Sequence, residues 1–509
     1  MTFADHLPIL PIAIPALAAP LTLLLMRRHP GWAVGVGFAS CAAMLVCALT
    51  LLVQANGGVI TAYALGDWPA PFGIVLVVDR LAAIMLALTA TLALIALLHA
   101  VITGIDRKGW HFHPLFQFQL MGLNGAFLTG DLFNLFVFFE VLLIASYGLM
   151  LHGQGAARLK AGVQYVVVNL VGSALFLIAL GLLYALTGTL NMADMGLRVA
   201  EIAPEDQGLL RIAALLLASV FALKAAVVPL HLWLVRTYDA ATPTVAGLFA
   251  IMTKVGVYAL IRVVPQVFGE GAGAAAWAPA PFLWPAALVT AAVGFAGVFT
   301  ARTLSEQAAY AIIGSTGTLL IAVAGWQEAT LAAALFYLVH STLAGAALFL
   351  VADVVSWRRA GAADNCASGP DFSGRQGVGL LFMAATIATI GLPPLSGFIG
   401  KLLILTSASA LPQWGWAWPW TWAVILGTTL IAVIGFARAG SAIFWKVSEG
   451  AATTPPSSRA DYAAPVIALL LLAALAVGAG PATAYAGAAA AQVLDPAASV
   501  RAVLGGDAA

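Results

Sequence analysis

The sequence contains very little charge. Only 8% of its 509 residues are Asp, Glu, Lys or Arg, whereas 62% are hydrophobic and the mean hydropathy is +1.01. A soluble globular protein needs a charged surface that this composition does not supply. The sequence therefore predicts a protein that crosses a membrane several times.

The sequence also has almost no net positive charge and few cysteines. The formal net charge of +1 leaves no basic stripe that could replace the counterions of a nucleic acid. The three cysteines, Cys41, Cys47 and Cys366, are scattered and none belongs to a CxxC or Cys/His cluster. We therefore expect no nucleic-acid partner, no disulfide framework, no metal site and no cofactor. The N-terminal MTFADHLPILPIAIPALAAPL lacks a basic segment, so we interpret it as a first span and not as a cleaved signal peptide.

Long apolar runs dominate what is present. A helix needs about 20 apolar residues to cross roughly 30 Å of hydrocarbon. About fourteen runs approach that length: 7–26, 31–54, 74–103, 113–130, 132–151, 162–188, 209–229, 243–263, 283–300, 307–325, 331–355, 377–407, 421–446 and 462–482. Because helices satisfy their own backbone in lipid, these runs predict an all-α polytopic membrane protein with about 14 transmembrane helices.

Basic residues are distributed unevenly between the loops. Loops after odd-numbered spans hold most of them: Arg27, Arg28, Arg107, Lys108, Arg158, Lys160, Arg236, Arg302, Arg358, Arg359, Arg375, Lys446 and Arg459. The other side holds Arg80, Arg198, Arg211, Arg262 and Arg501. The positive-inside bias therefore predicts that both termini lie on the non-cytoplasmic side.

Four charged residues fall within predicted spans and cannot reach an interface easily: Glu140, Lys224, Lys254 and Lys401. Arg438 lies near the end of its span and can snorkel. Each charge at mid-helix costs about 2.5–3.5 kcal/mol on the insertion scale. One interpretation is a static ion pair between Glu140 and one lysine. A titratable relay in a hydrated interior explains four charges of unequal sign better, because buried lysines and glutamates can exchange protons.

Prolines accompany these charges. Pro229 follows Lys224, Pro243 opens the span that carries Lys254, and Pro393 and Pro394 precede Lys401. Proline removes a backbone donor, so each of these prolines marks a predicted helix break at membrane depth, as in midplane transport sites. The recurrence after roughly five helices predicts two inverted five-helix repeats, each with a broken helix. The predicted units are 1–112 (helices 1–3), 113–265 (helices 4–8), 283–446 (helices 9–13) and 447–509 (cytoplasmic loop, last helix and tail).

Further polar residues are candidates for the same pathway. His340, in LFYLVHSTLAGAALFL, is either a hydrogen-bonded core histidine or a proton carrier between Lys254 and Lys401. The accessory candidates are Asp131, Tyr147, His231 and Tyr258, and for the two tyrosines plain packing is the simpler interpretation. Asp79 is interpreted as a helix-cap or interface residue. For Asp131 the sequence leaves two interpretations open, a helix cap and a cation contact.

Three segments resemble a known superfamily. They are TGDLFNLFVFFEVLLIASYGLM, FALKAAVVPLHLWLVRTYDAATPTVAGLFAIMTKVGVYALIR and IGLPPLSGFIGKL. They are similar to the antiporter-like membrane subunits shared by respiratory complex I and the Mrp-type (Pha or Mnh) multisubunit cation/proton antiporters. The stretch GDLFNLFVFFEVLLIASY resembles the D subunit of the Mrp type more closely than a complex I subunit.

The resemblance implies a role for each matched residue. Glu140 matches the helix-5 glutamate, Lys224 the lysine on broken helix 7, Lys254 the helix-8 lysine, His340 the helix-11 histidine and Lys401 the lysine on broken helix 12. Many relatives carry a lysine five residues after that histidine, where this chain has Gly345. His340 is then the main titratable group of its helix.

The expected function is proton conduction along these residues in a Na⁺ or K⁺/proton antiporter, with other subunits as partners and the bilayer as surroundings. Three alternatives stay open: a proton-pumping subunit of a complex I or membrane-hydrogenase type complex, a non-conducting scaffold, and a single-subunit transporter. The sequence contains no flavin, haem or cluster motif that would distinguish the first alternative from an antiporter subunit. It also shows no compact cage of oxygen ligands that would distinguish Na⁺ from K⁺ as the transported cation.

Overall fold

The computed structural model describes residues 3–410, 417–446, 448 and 458–505. Within these ranges the chain is nearly all-helical, as predicted. The α-helices are α1 (Leu10–Leu25), α2 (Pro30–Asn56), α3 (Arg80–Thr103), α4 (Phe112–Leu128), α5 (Leu132–Met150), α6 (Ala156–Thr187), α7 (Met192–Arg198), α8 (Gln207–Lys224), α9 (Leu232–Ala240), α10 (Pro243–Phe249), α11 (Met252–Val267), α12 (Ala280–Thr300), α13 (Leu304–Val323), α14 (Glu328–Arg358), α15 (Arg375–Ile390), α16 (Ser396–Ser409), α17 (Trp418–Phe444), α18 (Ala463–Val477), α19 (Ala479–Val493) and α20 (Pro496–Leu504). Short 3₁₀ helices cover Phe3–Ile9, Leu65–Asp67, Ile105–Arg107, Val199–Glu201, Gly273–Ala275, Ala360–Ala362 and Arg459–Tyr462.

Eleven helical stretches of the described chain are long and apolar enough to cross a membrane. The expected count of about fourteen is therefore not confirmed at that number. The predicted spans 113–130, 307–325 and 377–407 fall outside the eleven: they correspond to the 17-residue α4, to α13, and to the pair α15 and α16. Helices α4 and α13 carry buried polar side chains such as Gln117, Gln119 and Thr316, because they pack against protein on most sides.

Three predicted spans are interrupted in the structure. Helix α8 ends at Lys224, and the chain is not helical again until α9 begins at Leu232. The span that carries Lys254 is divided between α10 and α11, so the interruption lies after Phe249, whereas Pro243 begins α10 as its first residue. The third interruption separates α15 from α16, and α15 ends on Gly391 with φ +80°, a left-handed conformation that favours glycine.

A small antiparallel sheet is the main exception to the helical architecture. Strand β1 (Thr61–Ala64) pairs with β2 (Val75–Val78), with Thr61 opposite Val78. The predicted span 74–103 consequently begins as a helix only at Arg80. The apolar segment VLVV forms a strand outside that helix, and its composition alone fits a buried strand and a helix start equally well.

The C-terminal tail forms α19 and α20. Helix α19 packs against α14 and α3. Its attachment is polar as well, because the Arg80 guanidinium donates to the Ala488 carbonyl (3.3 Å) and the Arg80 backbone N–H donates to Gln492 Oε1 (3.0 Å). The tail is therefore fastened to the helices that surround the site below.

Candidate functional site

Glu140 of α5 and Lys224 of α8 are joined through α6, against which both helices pack. Ser173 Oγ donates a hydrogen bond to Glu140 Oε1. The Lys224 ammonium donates to Asn169 Oδ1 at 3.2 Å. Asn169 and Ser173 are four residues apart, so they lie on the same face of α6. Within the described residues Glu140 and Lys224 form no direct ion pair.

The interruption after Lys224 is satisfied by specific donors. Trp233 Nε1–H donates to the Leu223 carbonyl at 3.2 Å, and Val228 N–H donates to Thr290 Oγ1 at 3.0 Å. Broken backbone at membrane depth persists only with such partners. Lys224 is the last residue of α8, and its positive charge is favoured at a helix C-terminus.

Lys254 is fully buried, with a relative exposure of 0%. Its ammonium donates to Thr253 Oγ1 at 3.3 Å, and Thr253 Oγ1 in turn accepts from Thr316 Oγ1 of α13 at 3.4 Å. Gly256 brings this helix close to Lys224: a Cβ there would lie 2.6 Å from both the Ala225 amide nitrogen and the Phe221 carbonyl oxygen. The lack of a side chain at Gly256 thus lets α11 pack directly on the end of α8.

His340 is buried between α14 and the start of α16. A hydrogen bond of 2.9 Å joins His340 Nδ1 to Ser396 Oγ. The other ring nitrogen faces Gly397, where a Cβ would lie 2.7 Å from Nε2. His340 therefore contacts the break that precedes Lys401. Gly345, in the position where a lysine was expected from the resemblance, packs near Ile312 and Ala250.

Lys401 closes the interruption between α15 and α16. Its ammonium donates to the Ile390 carbonyl (2.7 Å) and to Thr429 Oγ1 (2.8 Å), and it lies 5.1 Å from the centre of the Phe295 ring. Only 5% of this residue is exposed. Like Lys254, it is held by neutral oxygen atoms, an arrangement in which the ammonium can give up a proton without leaving a carboxylate unpaired.

The accessory candidates lie in several separate networks. Tyr258 points away from this chain of groups, because its hydroxyl donates to the Phe127 carbonyl (2.6 Å) and accepts from Arg262 Nε (3.1 Å). Arg262 in turn forms a bidentate ion pair with Asp79, with N–O distances of 2.5 and 2.8 Å. Asp79 also caps α3 by accepting from Ala82 N–H at 2.8 Å, as the cap interpretation expected.

The remaining candidates differ in their surroundings. Asp131 caps α5 by accepting from Asn134 N–H at 2.8 Å, which favours the cap interpretation. Tyr147 is half-buried, with its ring edge-on to Tyr165. His231 lies in the interruption before α9, and its buried Nδ1 has no hydrogen-bond partner among the described residues.

Several polar residues of the site were not predicted from the sequence. They are Asn169, Ser173, Thr253, Thr316, Ser396 and Thr429. A signal was available for the first two, since they recur four residues apart in the otherwise apolar YVVVNLVGSALF. In the part of the chain that the structure describes, no group of three or more His, Cys, Asp or Glu side chains could hold a metal ion.

Interrupted helices with buried ammonium groups define a polytopic membrane protein with a polar interior, and comparisons identify the group to which it belongs. Residues 129–433 match the family described as NADH:quinone oxidoreductase/Mrp antiporter, TM, and the chain belongs to that family. It is 41% identical to the probable K⁺/H⁺ antiporter D subunit of Rhizobium meliloti (strain 1021), covering 97% of this chain and 96% of that protein.

Two further comparisons agree. The chain is 34% identical to the Na⁺/H⁺ antiporter D subunit of Alkalihalophilus pseudofirmus, covering 98% of this chain and 99% of the relative. Its structure is similar to a chain of the Mrp complex from Dietzia sp. DQ12-45-1b, with a TM-score of 0.88 at 27% identity over 99% of this chain and 100% of the other. The sequence-based resemblance to the superfamily is thereby confirmed.

Proposed function

We propose that this chain is the proton-conducting subunit of a multisubunit monovalent cation/proton antiporter. The observation that carries the proposal is the set of buried cations on interrupted helices. Lys224, Lys254 and Lys401 are each at most 7% exposed, and none forms an ion pair within the described residues. The names of the relatives, which are antiporter D subunits, support the same function.

The proposed pathway runs from Glu140 and Lys224 through Lys254 and His340 to Lys401. Protons enter a hydrated half-channel and charge the lysines in turn. An opposite charge at close range favours a protonated lysine, whereas separation in a medium of low dielectric favours release of the proton. The carboxylate of Glu140 is therefore the group that sets the direction of the first transfer.

The observed geometry supports a separated state of the first pair. Glu140 is held by Ser173 and Lys224 by Asn169, so neither charge has its opposite as a direct partner. In the associated state the carboxylate leaves Ser173 and meets the ammonium. Because both bridging residues lie on α6, a small displacement of this helix relative to α5 or α8 exchanges the two states.

We further propose that Na⁺ or K⁺ exits through other subunits, to which the proton pathway is coupled. Purification in mild detergent, with identification of every co-purifying protein, tests this partnership. Small antiporter subunits are expected in the purified complex. Quinone-reductase or hydrogenase subunits would contradict the antiporter assignment and indicate a redox-driven pump, whereas a chain that transports when expressed alone would contradict the requirement for partners.

Transport in everted vesicles tests the pathway. Proton efflux induced by Na⁺ or K⁺ is compared for the wild type, Lys401→Met and the control Lys160→Met, since Lys160 is exposed at the start of α6. Lys401→Met is expected to abolish efflux with normal assembly, whereas Lys160→Met keeps it. Wild-type efflux in Lys401→Met would overturn the proposal.

The proposed location is the bacterial inner membrane, with both termini on the non-cytoplasmic side. The excess of arginine and lysine in loops after odd-numbered spans supports this orientation. Labelling of intact cells with a membrane-impermeant thiol reagent tests it on Glu205→Cys and Arg28→Cys, both at exposed positions. We expect labelling at position 205 only. Labelling at position 28 only would indicate the opposite orientation and contradict the proposal.

We also propose that 113–265 and 283–446 are the two inverted five-helix repeats, flanked by 1–112 and 447–509. Lys224 at the end of α8 and Lys401 beside the break before α16 support this division, because each repeat then contains one of these two lysines next to a helix break.

A further inference from the structure

A cavity of about 730 Å³ opens between the ends of α12 and α17 and the segment 359–368. Three arginines line it: Arg302, Arg359 and Arg438. No Asp or Glu is among the described residues that line the cavity. The lining itself is therefore basic, with the nearest carboxylates, Asp364 and Glu306, outside it, and the proton pathway uses none of its arginines.

Arg359 forms the rear wall of this arginine cavity. It is 3% exposed, and its guanidinium donates to the carbonyls of Asn365 and Ala367, at 2.6 Å each. Its Nε is buried without a hydrogen-bond partner in the described chain. Burial lowers the pKa of Arg359, and the nearby Cys366 and Asp364 offset the desolvation of its charge only in part. A bound anion at this cavity would add to that offset.

Arg302 and Arg438 lie at the opening of the arginine cavity, where their guanidinium groups can bind a ligand. Both are exposed, and neither guanidinium donates a hydrogen bond to the described part of the chain. Arg438 stacks on Phe299, with its guanidinium carbon 4.6 Å from the ring centre, which orients its fork of N–H groups. Guanidinium groups in this arrangement suit the paired oxygen atoms of a phosphate.

The carboxylates closest to the cavity are already engaged. Asp364 Oδ2 accepts from the Ser305 amide (2.9 Å) and hydroxyl (2.6 Å), and Glu306 accepts from the Arg302 backbone N–H at 2.7 Å. The Cys366 thiol also lines the cavity, and burial raises its pKa to about 12, with a smaller contribution from Asp364. The thiol is thus neutral at pH 7 and adds no negative charge to the cavity.

The position of the cavity indicates the source of the anion. Trp357 and Trp445 are 56% and 79% exposed at the ends of α14 and α17, and exposed tryptophans at helix ends mark the membrane interface. Arg438 lies six residues before the end of α17, about 9 Å along its axis. A basic pocket between transmembrane helices at this depth is a site for a lipid headgroup.

We propose that the arginine cavity binds the phosphate headgroup of an anionic phospholipid. The phosphate lies between Arg302 and Arg438, and the acyl chains follow the apolar sides of α12 and α17. The same two helices hold Lys401, through Phe295 of α12 and Thr429 of α17. Occupancy of the cavity therefore stabilises the packing that positions this lysine of the proposed pathway.

Native mass spectrometry of the purified complex tests the assignment. Phosphatidylglycerol and phosphatidylcholine with the same acyl chains are titrated separately, with inorganic phosphate as a third arm. Phosphatidylglycerol is expected to bind more tightly than phosphatidylcholine. In Arg302→Gln/Arg438→Gln its affinity falls roughly thirtyfold, which is about 2 kcal/mol for the loss of two basic groups.

Two controls keep the result interpretable. Arg27→Gln/Arg28→Gln removes two exposed arginines outside the cavity and is expected to leave the affinity unchanged. Arg302→Lys/Arg438→Lys keeps the charge and loses the paired N–H donors, so an intermediate affinity is expected. Equal binding of the two lipids, or an unchanged affinity in the double glutamine variant, overturns the proposal. Displacement of the lipid by inorganic phosphate at similar concentration overturns the lipid assignment in favour of free phosphate.

Discussion

Asn169 and Ser173 lie one turn apart on α6, and each holds one of two opposite charges. Asn169 accepts from the Lys224 ammonium at 3.2 Å, and Ser173 donates to the Glu140 carboxylate. The amide of Asn169 is itself fixed, since Nδ2 donates to the Tyr165 carbonyl at 2.9 Å. Helix α6 is therefore a third component of what the sequence presents as a pair.

Replacement of the bridging amide tests the role of α6. In Asn169→Leu the buried ammonium loses an acceptor, which costs about 1–3 kcal/mol. We expect the initial rate of cation-induced proton efflux in everted vesicles to fall about tenfold. The control Leu170→Ala alters the adjacent side chain, which is 62% exposed on the outer face of the same helix. A normal rate in Asn169→Leu would show that α6 is only a packing partner.

The ion pair between Asp79 and Arg262 is predicted to stabilise the protein. The pair is buried and bidentate, and removal of one partner of such a pair lowers the free energy of unfolding by about 3–5 kcal/mol. Asp79→Asn should therefore lower the thermal unfolding temperature of the purified complex clearly.

The chain supplies a matched control for this change. Asp194 and Arg198 form a half-exposed pair four residues apart on α7, with the arginine side chain 51% and the aspartate side chain 11% exposed, and helical pairs of this spacing contribute about 0–1 kcal/mol. Asp194→Asn is expected to leave the unfolding temperature almost unchanged. Equal shifts in Asp79→Asn and Asp194→Asn would contradict the importance of the buried pair.

Gly397 is predicted to be intolerant of any side chain. A Cβ at this position would lie 2.5 Å from the Ala388 carbonyl oxygen and 2.7 Å from His340 Nε2. Gly397→Ala should therefore displace the start of α16 and abolish transport, measured together with the amount of assembled complex. Gly427→Ala is the control, because a Cβ there has no neighbour within 4 Å. Full activity of Gly397→Ala would mean that His340 does not need this close contact.

Cys366 is predicted to react slowly with thiol reagents. The reactive species is the thiolate, and a pKa raised to about 12 by burial keeps its fraction very small at both pH 7 and pH 9. Alkylation followed by mass spectrometry should detect little labelling at either pH. The variant Cys366→Ser/Ser368→Cys moves the thiol to an exposed position and should label rapidly with rising pH. Rapid labelling of Cys366 itself would contradict its burial in the arginine cavity.

Charge scarcity is what made the principal residues of the site predictable. In a chain with 8% charged residues, Glu140, Lys224 and Lys401 stand out because each interrupts an apolar run. Their prolines also predicted two of the three interruptions, after Lys224 and before Lys401. No proline lies at the break between α10 and α11. The prediction placed this break at Pro243, which begins α10, whereas the structure has it at the end of that helix.

The partners of these charges could not be predicted in the same way. Ser396 and Thr429 are common in membrane helices, and their roles depend on which helices meet in space. The sequence leaves open a direct ion pair between Glu140 and one lysine, and helix packing alone decides whether a residue such as Asn169 lies between Glu140 and Lys224. Strand β2 escapes prediction because four buried apolar residues fit either a strand or a helix.

The proton relay is tested most directly at Glu140. The measurement is the initial rate of proton efflux induced by Na⁺ or K⁺ in everted vesicles that contain the normally assembled complex with Glu140→Gln. Glu328→Gln serves as the control, because Glu328 is an exposed carboxylate at the start of α14. The relay predicts that Glu140→Gln falls to about one-tenth of the wild-type rate or less, while Glu328→Gln keeps it. A wild-type rate in the assembled Glu140→Gln complex would contradict the relay.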